Sequence, residues 1–64
     1  MKWARQYGNV PGQFVARGHD DAEWLVDGAL RTWRLYFCGN FVGAFPKKAI
    51  AQEVAEHIED RRAK

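Results

Sequence analysis

The sequence predicts an α+β domain, a small antiparallel sheet of three or four strands with one C-terminal amphipathic helix packed on it. Three observations lead there. The segment from Lys47 to about Arg62 contains neither Gly nor Pro and repeats apolar residues at Ile50, Val54 and Ile58, one face of a helix. Gly39-Asn40 separates two apolar runs in the manner of a tight hairpin. Finally, 64 residues bury only roughly 60% of the surface of the unfolded chain, and a few strands need a helix against them to form a core.

Residues 1–12 read as an N-terminal arm, followed by a single β-β-β-α domain over 13–64. The arm mixes Lys2, Trp3, Arg5 and Tyr7 and ends in Gly8-Asn9-Val10-Pro11-Gly12, a cluster of turn formers that opposes a continuous helix. Gln13 to Arg17 suits a short strand, closed by Gly18-His19-Asp20-Asp21, where Gly and Asp favour a turn.

The stretch from Ala22 to Cys38 carries two signals. Ala22, Leu25, Val26, Ala29, Leu30, Trp33, Tyr36 and Phe37 follow a helical spacing. Against it, Gly28 interrupts the stripe, and Glu23–Asp27 and Thr32–Cys38 are rich in aromatic and branched residues. Strands are the preferred reading, with one helix over 22–37 as the alternative. A two-residue Gly39-Asn40 loop would pair Cys38 with Phe41, Tyr36 with Gly43 and Arg34 with Phe45. The opposite face would hold Trp33, Leu35, Phe37, Val42 and Ala44, and the pattern leaves open which face is buried.

In the helix, Pro46 fits the first position, where its missing N–H is no loss. Ile50, Val54 and Ile58, joined by Ala51 and Ala55, form the expected core face. Gln52, Glu53, Glu56, Glu59 and Asp60 are expected on an acidic outer face. Arg61, Arg62 and Lys64 complement the negative end of the helix dipole.

Composition narrows function. A chain this short has little room for an enclosed active site, so an enzyme is not expected. There is no serine, and the lone Cys38 stands beside a turn, far in sequence from His19 and His57, which disfavours nucleophilic catalysis. One cysteine forms no internal disulfide, so a reducing, cytoplasmic setting is expected. No metal spacing or phosphate loop is present, so neither cofactor nor metal is expected. The N-terminus lacks a signal-peptide core, and no run of roughly 18 apolar residues exists, so no membrane association is expected.

Binding remains. Lys2, Arg5, Arg17, Arg31 and Arg34 interleave with Trp3, Tyr7, Trp24, Trp33 and Tyr36, a combination suited to phosphates and stacked bases. The net charge of +2 permits nucleic acid without requiring it. The pattern Trp33-Arg34-Leu35-Tyr36 through Gly39, then Val42-Gly43-Ala44-Phe45 and a helix with Ala51 and Ala55, resembles sheet-plus-helix DNA-binding domains. These are the arm-site-binding domain of phage-type integrases and the plant ethylene-response-factor domain. It is also similar to short uncharacterised actinobacterial-phage proteins. The resemblance covers about half of the chain and implies a phage-type accessory protein that contacts DNA through an exposed sheet face, with Arg31, Arg34 and Trp24 in that role. Pro46-Lys47 stands where those domains usually have a Thr cap. DNA is thus the first expected partner, through Arg31, Arg34, Trp24, Arg17, Lys2 and Arg5. The alternative is a protein-interaction module or inhibitor of a host protein, using an aromatic sheet face or the helix, or pairing as a homodimer.

Overall fold

The computed structural model describes residues 1–5 and 12–63; Tyr7 and the turn-forming cluster 8–11 lie outside the described residues. Five strands form one antiparallel sheet in chain order: β1 (Ala4–Arg5), β2 (Gln13–Arg17), β3 (Glu23–Ala29), β4 (Thr32–Phe37) and β5 (Asn40–Phe45). Helix α1 (Lys48–Arg62) follows and lies across one face, touching β3, β4 and β5. The α+β class is as expected, with more strands than the sequence suggested.

Within the span read as an arm, Ala4 pairs with Val15 and Arg5 with Phe14, so the sheet begins there. The region 22–37 is two strands. Trp24, Val26 and Leu35 drop into the core on alternate positions, a period of two that the helical stripe cannot satisfy. The β3–β4 turn is Leu30-Arg31, both with positive φ (49° and 67°), the pairing that a type I′ hairpin turn demands. Neither residue is a usual turn former, and each left-handed side chain costs on the order of 1–2 kcal/mol.

The β4–β5 hairpin corrects the expected register. Its two turn residues are Cys38-Gly39, with φ of 49° and 86°, so Phe37 pairs with Asn40 and Tyr36 with Phe41. Glycine occupies the second left-handed position, and Cys38 is exposed in the turn. Further on, Leu35 pairs with Gly43, leaving Val42 as the extra residue of a β-bulge. The bulge returns Phe45 to the face of its partner Trp33; the helix side thus carries Trp33, Leu35 and Phe37 with Gly43 and Phe45, whereas Ala44, opposite Arg34, lies on the other face.

The core is Trp24, Val26 and Leu35 from the sheet against Ala51 and Ala55 from α1. The expected helix face shifts accordingly. Val54 and Ile58 flank the core, while Ile50 is 36% exposed. The buried line is Ala51, Ala55 and Glu59, since small alanines let the helix approach a sheet already filled by an indole and a leucine. Lys47, in extended conformation, caps the helix, and Pro46 precedes the cap instead of opening the first turn.

Candidate binding face

The same alternation that fills the core leaves an uncovered face. Ala4, Val15, Leu25, Tyr36 and Phe41 are consecutive partners across all five strands, one apolar row from edge to edge. Tyr36 and Phe41 meet edge to face with ring centroids 5.7 Å apart. A polar row runs beside it, Gln13, Asp27, Arg34 and Ala44, and at the other end Arg17 faces Glu23. The row grades from half-buried Val15, Leu25 and Tyr36 to Phe41, which is 61% exposed.

The charged residues of this face stand in opposite-sign positions. Arg17 lies 3.8 Å from the Asp21 carboxylate and 4.0 Å from that of Glu23. Arg34 is the cross-strand partner of Asp27. Two arginines thus stand against Glu23 and Asp27, and the face has no net charge.

The residues expected to bind DNA are therefore not gathered. Arg17 and Arg34 share the open face at opposite ends, and Arg31 is at the β3–β4 turn. Arg5 is on the helix side, its guanidinium 6.0 Å from the Phe14 ring centroid. Lys2 is exposed ahead of β1. Trp24 is only 1% exposed beneath α1, its ring 4.6 Å from that of Phe37, so its expected nucleic-acid contact is excluded by burial.

What holds Trp24 there is a residue expected on the outer helix face. Glu59 is 7% exposed and its carboxylate accepts the Trp24 indole N–H at 2.8 Å, the His19 backbone N–H, and the Arg62 guanidinium at 2.6 and 2.8 Å. Arg62 also stacks over Phe37, 4.9 Å from its centroid. Burial pushes the Glu59 carboxyl upward, but the bonds from Trp24, His19 and Arg62 outweigh it and hold the carboxyl below its ordinary 4.5. Gly18 is required beside it, because a Cβ there would fall 2.3 Å from the Glu59 carboxyl carbon. The i, i+4 spacing from Ala51 and Ala55 was the available sign that Glu59 points inward.

No family model, curated protein or solved structure matches the chain. Among the described residues, no three His, Cys, Asp or Glu side chains gather into a metal-sized cluster. No helix among the described residues is long and apolar enough to cross a membrane. The arrangement that can do something chemically is the open face, a rigid apolar row with aromatic residues at its β5 end.

Proposed function

We propose that this chain is a non-enzymatic binding module whose open sheet face receives a protein partner. The observation that carries the reading is the row Ala4, Val15, Leu25, Tyr36 and Phe41, which no described element covers, set in a face where Arg17 has carboxylate neighbours and Arg34 stands across the strands from Asp27. Protein interfaces are enriched in aromatic residues at their centre and depleted of charge there. A phosphate backbone asks for the reverse, an excess of unpaired cations. The helix-covered face fixes the strands from behind, so the row is preorganised and little ordering entropy is lost on docking.

A photo-crosslinking residue placed at Tyr36 tests this in cells, with the same probe at Glu53 on the exposed side of α1 as control. A discrete protein adduct from position 36 alone is expected. Gel shift with duplex DNA tests the nucleic-acid alternative. Retardation at low salt that falls steeply as salt rises, and that is lost when Arg31 and Arg34 become alanine, would overturn the protein reading.

A further inference from the structure

The two edges of the sheet are unlike. β1 offers two residues, whereas β5 offers six, Asn-Phe-Val-Gly-Ala-Phe, with no charge and no proline among them. Natural edge strands are commonly guarded by lysine, proline, inward charges or a bulge that spoils pairing. Here the bulge is present, but the residue it displaces is Val42, 39% exposed, next to Phe41. Of the large apolar side chains that stand exposed among the described residues, Phe41 and Val42 belong to this edge. The others are Ile50 on α1 and Leu30 in the β3–β4 turn.

We infer that β5 is a self-pairing edge, at which a second copy of this chain adds its own β5 antiparallel about a two-fold axis near Val42 and Gly43. The bulge makes the strand self-complementary. It places Phe41 and Ala44 on the open face, and Asn40 and Phe45 on the helix face, according to their partners on β4. Antiparallel pairing centred between Val42 and Gly43 therefore sets Phe41 of each copy beside Ala44 of the other, and Asn40 beside Phe45, each on its proper face. Rings meet small or polar residues instead of each other, and no like charges are opposed. Because the two-fold contact uses the β5 edge of both copies, that edge is consumed and the assembly closes as a dimer there. The apolar row of each copy, ending at Phe41, would continue across the seam onto Ala44 of the other.

The inference stands apart from the open-face reading, because pairing uses the edge and not the face. Light scattering on the eluting full-length chain, over a range of concentrations, tests it. Wild type is expected at twice the 7.4 kDa chain mass, and Val42→Lys at the single mass with an unchanged circular dichroism spectrum. Wild type at the single mass at every concentration would overturn it, as would a doubled mass that Val42→Lys leaves intact. If Val42→Lys does not fold, hydrogen exchange of wild type decides. Protection of β5 amides must rise with concentration, and protection that does not change overturns the proposal. Photo-crosslinking from Tyr36 in a monomeric Val42→Lys chain reads the face separately from the edge.

Discussion

The two faces of the sheet use the same strands and alternate residues, yet they carry different kinds of responsibility. On the covered face, Trp24, Val26 and Leu35 are sealed by two alanines, and a carboxylate is buried among three donors. On the open face, Leu25 and Tyr36, their immediate neighbours in sequence, line a row that no described element covers. The contrast teaches that apolar content does not decide which face becomes core. Both faces are apolar; the helix is recruited to the one whose indole N–H and turn amide Glu59 can satisfy.

The sharpest way to break the contrast is to remove that carboxylate. Glu59→Ala leaves the Trp24 indole and the His19 amide without acceptors and is expected to cost about 3–5 kcal/mol, the range for stripping one partner from a buried ionic cluster. In a domain of this size that is a fall of about 15–30 °C in melting temperature, measurable by tryptophan emission. Next comes a matched pair of truncations. Leu35→Ala on the covered face should cost roughly 2–5 kcal/mol. Leu25→Ala, half-buried on the open face, should cost well under half of that; equal losses by urea titration would mean that the open face is itself covered in solution.

A third test uses acidity. The Glu59 carboxyl in the fold is held below 4.5, so its ionised form stabilises the fold above that pH. This contribution is lost as pH falls from there through the depressed folded value. The stability difference between wild type and Glu59→Gln should therefore be largest near neutrality and shrink in acid; a difference constant down to acid pH would remove Glu59 from this role. Gly18→Ala tests the space for the same group. Its Cβ would displace the carboxylate, with an expected loss of about 1–3 kcal/mol by thermal melting. The smallest effect belongs to the β3–β4 turn, where Leu30 is 94% exposed at positive φ. Leu30→Asn should raise stability by about 0.5–1 kcal/mol, because asparagine tolerates the left-handed region.

Much of this fold was legible. The Gly-free run after Pro46 and its apolar spacing located α1, and the hairpin residues located β4 and β5. The turn moved by one residue because Cys38-Gly39 and Gly39-Asn40 both offer a glycine; the register therefore shifts by two up to the Val42 bulge and by one beyond it, where Phe45 meets Trp33. Leu30-Arg31 has no turn chemistry to read, since the strands on either side impose its backbone. β1 was hidden for another reason: Met1 and Trp3, just ahead of it, pack against the core, and Trp3 bonds Glu56, across 53 residues, a dependence no local pattern records. An open sheet face was expected, but Trp24 was assigned to it, because strand parity cannot say which side a helix will cover.

The chain-order arrangement of the strands also sets a sequence of events in time. Every strand pairs with its neighbour along the chain, so the sheet is assembled from contacts of short loop length, which close quickly. The Glu59 bonds are of another kind, reaching back 35 residues to Trp24 and 40 to His19. Glu59 also follows all five strands in the chain, so the indole of Trp24 gains its acceptor only when the C-terminal helix is in place. Docking of the last helical turn thus depends on long-range closure, and the change in Trp24 emission as the fold forms is the signal that reports it.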